Sequence, residues 1–130
     1  MGAKIRIPGI NIQHPWSELI VEGEKTIETR AYPIPGHLVN QRLAIIETKK
    51  NEAATIVGIV IFSHCYKYES LKHWKEDFPK HRVPATNESF AFSVEKPKWA
   101  WVISEIIKVP SQPGPAKKGI KYAKECEVLT

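Results

Sequence analysis

The chain has 130 residues, 42% of them hydrophobic, which fits a single domain spanning 1–130 that can bury a core without disulfide staples. Nineteen Lys and Arg stand against 14 Asp and Glu, with the excess towards the C-terminal half, and this basic balance favours polyanionic partners. Cys65 and Cys126 make no CxxC pair, no apolar run approaches membrane-spanning length and the five histidines lack metal-ligand spacing; a disulfide framework, a membrane span and a metal site are therefore not expected, and a cytoplasmic location is.

Ile5, Ile7, Ile10 and Ile12 alternate around Pro8-Gly9, which predicts a first or edge strand with a kink. Pro15 suits the first position of a short helix. Trp16, Leu19, Ile20 and Gly23 then fall at i, i+3, i+4 and i+7, so one face is buried and Trp16 belongs to the core. Gly23 can end that helix in the left-handed conformation. Thr26 to Arg30 follows as a strand, with Ile27 on one face and Glu28 and Arg30 on the other.

After the breaker cluster Tyr32-Pro-Ile-Pro-Gly36 and a loop over His37 to Gln41, Arg42 to Thr48 reads as a buried strand. Thr55 to Cys65 is the strongest strand pattern, and Gly58 inside it marks a bulge or bend. Glu69 to Asp77 predicts a second helix anchored by Trp74 and closed by Pro79. Lys80 to Glu88 reads as a polar connection, Ser89 to Val94 as a short strand with Phe90 and Phe92 on one face, and Lys98 to Val109 as a long strand. Ser111 to Gly119 is a loop by composition, and Ile120 to Val128 is a final strand or a frayed tail. The expected architecture is α+β: a small β-barrel of five to six strands with two or more helices packed around it.

The run Pro15-Trp16, Leu19-Ile20, Gly23-x-Lys25-x-x-Glu28-x-Arg30, with Ala116-Lys117-Lys118-Gly119 further on, resembles the ASCH domain, a branch of the PUA-like barrels. The resemblance implies a PUA-like β-barrel with a cleft beside the first helix, and partners among RNA, single-stranded nucleic acid or nucleoside derivatives. His14 stands where the ASCH signature commonly has Gln, with Gln13 one place earlier, which puts His14 at the mouth of the cleft. The branch that deacylates N4-acetylcytidine carries a nucleophilic threonine where this chain has Glu28, so that activity loses its nucleophile, although Lys25 matches the branch's lysine.

Lys25, Glu28 and Arg30 read either as a ligand clamp or as a self-neutralising ion-pair cluster. The family resemblance favours the clamp, with Arg30 as a fork for phosphate, Lys25 as a point charge and Glu28 accepting from a base or ribose. In an enzyme reading, a metal-independent ribonuclease or an amidohydrolase on a modified nucleoside, Lys25 and Glu28 become the catalytic pair. Trp99 and Trp101 share a face with Ile103, either to sandwich a base, as in a modified-base reader, or to fill the core. Lys117 and Lys118 follow a Pro-Gly-Pro turn and suit a phosphate-contacting rim whose binding falls steeply with salt. His64, Tyr66, Lys67 and Tyr68 offer acid-base groups or simply a strand end reaching solvent. No cofactor is called for.

Overall fold

The computed structural model describes residues 2–115 and 122–130. Six strands form one mixed sheet: β1 (Lys4–Gln13), β2 (Ile27–Arg30), β3 (Leu43–Thr48), β4 (Thr55–Lys67), β5 (Trp99–Pro113) and β6 (Tyr122–Leu129), in the order β2-β5-β4-β3-β1-β6. Only β1 and β3 run parallel; the other neighbours are antiparallel. Three short helices, α1 (Trp16–Val21), α2 (Leu71–Glu76) and α3 (Phe78–His81), accompany them. No helix among the described residues is long and apolar enough to cross a membrane.

β1 is an interior strand and not an edge. Pro8, which has no amide to give a ladder, sits where the β1–β6 register slips between Ile7 and Gly9. A Cβ on Gly9 would lie 2.6 Å from the Ile46 side chain and 2.7 Å from Cys126 Sγ, so the bulge also lets two neighbours pack onto bare backbone. The bulge expected near Gly58 is present: the β4–β5 register shifts between Ile56 and Gly58.

β4 and β5 form the longest ladder, from Lys67 opposite Trp99 to Thr55 opposite Pro113. β5 therefore continues past Val109 into the segment that composition marked as loop, because β4 offers it a partner to the end. There the Gln112 side chain takes over: its Nε2 donates to the Leu129 carbonyl at 2.9 Å, and the Leu129 amide donates to its Oε1 at 2.7 Å. A side-chain amide thus links β5 to β6 where a closed barrel would have a backbone ladder. The expectation of a barrel is corrected accordingly, since β2 and β6 remain the ends of an open hydrogen-bonded order.

Two further expectations change. Pro79 lies in the first turn of α3, where its missing amide costs nothing, and does not close α2. Residues 89–94 form turns and bends, not a strand: Asn87 Oδ1 accepts from the Ser89 and Phe90 amides, at 3.1 and 2.9 Å, and folds the chain back on itself. The core divides among the sheet's surroundings. Ile10, Ile12, Ile20, Leu43, Ile45, Phe62 and Trp101 form one cluster with α1; Ile7, Ala44, Ile46, Ile56, Cys126 and Val128 form a second; Ile27, Tyr68, Trp74, Val83 and Ala100 form a third beneath α2 and α3.

Candidate functional site

Helix α1 ends as its sequence prescribes, with Gly23 at φ +80°. The Lys25 amide returns to the Leu19 carbonyl, which aims the chain into β2. Strand parity then buries Ile27 and turns Glu28 and Arg30 towards a cleft of about 320 Å³. That volume is at the small end for ligand sites, enough for one ring system and its substituents and not for a duplex. Asn11 and Gln13 from β1, Trp16 from α1, Tyr32, and Val83 and Phe90 from the segment after α3 complete its walls, with Lys98 at the start of β5. Trp16 meets Phe90 edge to face, ring centres 5.1 Å apart, and its indole N–H donates to the Arg82 carbonyl at 3.3 Å. Arg82 holds that carbonyl in place from a left-handed backbone, φ +63°, at the end of α3.

The charges are ordered in depth. Arg30 Nη2 bonds Glu28 Oε2 at 2.9 Å and donates to the Asn11 carbonyl at 2.7 Å, and its guanidinium lies 5.8 Å from the centre of the Trp101 ring. Arg30 Nε is buried and has no acceptor. Behind Glu28 lies Lys25, 1% exposed, with Nζ 3.6 Å from Glu28 Oε1 and donating to the His81 carbonyl. Burial pulls the Lys25 ammonium down to about 8, against the opposing pull of Glu28. His81 is buried too: its Nδ1 accepts from the Val83 amide at 3.0 Å, which leaves Nε2 to donate to the Trp74 carbonyl at 2.7 Å. Burial holds this imidazole below its ordinary pKa, consistent with that neutral form. Lys25 therefore ties the turn at 81–83 to the acidic residue of the cleft.

A sequence profile of the ASCH domain matches residues 10–112, most of the chain, from the end of β1 to Gln112 in β5. The chain belongs to the ASCH domain family. The ASCH domain is PUA-like, and the six-strand mixed sheet agrees with that class. Among solved structures, this ASCH domain is similar to ASCH from Zymomonas mobilis, with a TM-score of 0.66 and 16% identity over 82% of this chain and 72% of that one. A Tyr-to-Phe variant of the same protein gives 0.65 at the same identity and a Ser-to-Ala variant gives 0.66. At that identity the likeness concerns the fold. No curated protein sequence matches the chain.

Within this ASCH domain, Glu28 and Arg30 line the cleft while Lys25 does not; the expectation of a lysine reaching a ligand as a point charge is corrected by its burial under Glu28. Trp101 is fully buried, held edge-on between Tyr32 and Phe62 with its indole N–H on the Tyr32 carbonyl at 3.0 Å, so its faces are core. Trp99 shares that cluster, half-buried, and does not line the cleft. The aromatic walls are instead Trp16, Tyr32 and Phe90. Trp16, expected in the core because it shares the apolar stripe of α1, does pack half-buried against two of the core clusters, and it lines the cleft as well.

His14 turns away from the cleft, with Nδ1 3.5 Å from Glu47 and 3.8 Å from Glu18, ion-pair distances once it is protonated. Gln13, one place earlier, is the residue that lines the cleft. Glu47 also accepts from Ser17 Oγ at 2.7 Å and pairs with Lys49 at 3.5 Å; burial opposes its ionisation, yet these partners hold its carboxyl below the usual range. Tyr66 and Tyr68 both donate to Asp77, and burial followed by that hydrogen bond pushes the Tyr66 phenol up to about 12, which removes it from acid-base work near neutrality. Lys117 and Lys118 lie outside the described residues. Among the described residues no group of three or more His, Cys, Asp or Glu is placed to hold a metal ion.

Proposed function

We propose that the chain binds RNA by taking one nucleotide-like unit of a single strand into the cleft beside α1. The observation that carries this reading is the meeting in one small cleft of three aromatic side chains, Trp16, Tyr32 and Phe90, with the Glu28–Arg30 pair, in an ASCH domain. Aromatic walls accept any base face, with about 1–3 kcal/mol for each stacked base. A carboxylate fixed by Arg30 accepts from an exocyclic amino group, and the guanidinium adds the positive field that draws a polyanion. Single strands suit the site because an unstacked base can enter a cleft that a duplex cannot.

A second reading, a modified-base reader in which the aromatic walls supply most of the affinity, is favoured by the same three rings and differs in its salt dependence. The hydrolytic readings gain no support from Lys25, whose Nζ is committed to Glu28 and the His81 carbonyl. The test is anisotropy of labelled single-stranded RNA against wild type, Trp16→Ala and Arg30→Gln, each checked for folding by thermal melting. Each substitution is expected to weaken binding about tenfold or more. Wild-type affinity in both folded variants would show that RNA binds elsewhere. An affinity for single modified nucleosides that ignores salt would favour the reader over the strand binder.

A further inference from the structure

Lys98 is the cation of the cleft that has no counter-ion among the described residues. It stands immediately before β5 and lines the cleft with Arg30. Among the described residues its ammonium makes no ion pair with any carboxylate. The one acidic residue lining the cleft, Glu28, is already shared by Arg30 at 2.9 Å and Lys25 at 3.6 Å. Among the described residues Glu28 is thus taken up by Arg30 and Lys25, and no carboxylate pairs with Lys98.

Lys98 also feels its surroundings. Burial first, then the like charges of Lys96 and Arg30, lower its pKa from the ordinary lysine value. An anion entering the cleft would offset this repulsion. The remaining walls are aromatic and suit a flat ring.

We infer that the cleft is a nucleotide site and not a nucleoside site: a base lies among Trp16, Tyr32 and Phe90 while the phosphate of the same unit sits on the Lys98 ammonium, within the field of Arg30. This rests on the reading of the cleft as the RNA site and adds the group that the ligand must carry. Lys98 is the specificity-determining residue, since among the described residues it is the cleft cation that makes no ion pair, whereas Arg30 is held by Glu28.

The experiment titrates the four ribonucleosides, their 5′- and 3′-monophosphates and inorganic phosphate into wild type, Lys98→Gln and Lys98→Arg, followed by NMR shifts of the Trp16 and Phe90 signals. Monophosphates of at least one series are expected to bind about tenfold tighter than the nucleosides. Lys98→Gln should bring monophosphate and nucleoside affinities to within about twofold of each other, and Lys98→Arg should keep the difference. For single-stranded RNA, Lys98→Gln should reduce the slope of log affinity against log salt by about 1. Equal affinity for nucleosides and both monophosphate series, or a difference that survives Lys98→Gln in a folded variant, overturns this inference and leaves the cleft reading standing. Inorganic phosphate binding as tightly as the nucleotides overturns it as well, because the anion site would then be indifferent to the base. If no nucleoside, nucleotide or RNA shifts the Trp16 and Phe90 signals, the cleft reading falls and takes this inference with it.

Discussion

Lys25 shows how far a residue's role can lie from its type. An ammonium with an ordinary pKa of 10.5 sits 1% exposed beneath a carboxylate and is held down to about 8. The sign follows from proton counting. Between about pH 8 and 10.5 the unfolded chain binds a proton that the folded chain has released, so stability from this group rises with pH across that window. Below pH 8 both states are protonated and the penalty of burying the charge is fully present, on the order of 3 kcal/mol from the shift. Denaturant unfolding of wild type against Lys25→Met is expected to show wild type gaining on the variant from pH 8 to 10, and a nitrogen-detected lysine titration should place one midpoint near 8. A flat difference between the two proteins across that range would show that Lys25 is hydrated. The sequence displays Lys25 as a turn lysine near Glu28 and Arg30. It does not display the His81 carbonyl, 56 residues away, that receives the ammonium. Glu28 and Arg30 were readable for the opposite reason, since strand parity is local.

The elements were legible where a local pattern decides them and misread where a distant partner does. The helix stop at Gly23 follows from backbone freedom, and at the Gly58 bulge a Cβ would crowd the Ile107 carbonyl and Val21 at 3.2 Å; both features occur as the sequence predicts. Phe90 and Phe92 have strand spacing, yet the Asn87 side chain takes the amides that a strand would have offered, and the two rings part: Phe90 goes to the cleft and Phe92 to the cluster beneath α2. The cleft's aromatic wall was hidden by that difference. β1 was read as a first or edge strand with a kink at Pro8-Gly9; it is the first strand and it is irregular there, but it is interior, and the interruption is the means by which an interior strand admits a proline. Gly9→Ala tests this: its methyl carbon would fall within 2.7 Å of Cys126 Sγ and closer still to Ile46, so a loss of about 1–3 kcal/mol in denaturant unfolding is expected. An unchanged midpoint would mean that β1 and β6 are packed less closely than the bulge implies.

At the scale of the molecule, the count of strands was readable and their closure was not. Whether a sheet becomes a barrel depends here on residues 112 and 129, which no periodicity connects, and the answer is a single amide side chain. Gln112→Ala should cost about 1–3 kcal/mol, the value of its three side-chain hydrogen bonds, two to Leu129 and one to the Pro110 carbonyl, near solvent. It should also speed amide exchange at Leu129 while amides in the centre of β4 stay protected. Equal acceleration at Leu129 and in β4 would show that the closure is cooperative with the core and not a local latch. The cleft lies at the other end of β5, where Lys98 lines it, so the proposed RNA binding should survive this substitution.

One arrangement at the cleft has a practical side. Trp16 forms its wall, and Trp101 lies under the Arg30 guanidinium without touching solvent. The first indole would be contacted directly by an occupant, while the second would sense only a change in the charge above it. The chain holds four tryptophans, so in a Trp74→Phe, Trp99→Phe background the emission of these two fluorophores can separate contact from electrostatics, with Trp16→Phe then isolating the buried signal. A nucleoside and its phosphorylated form would leave different spectral fingerprints, readable in a cuvette.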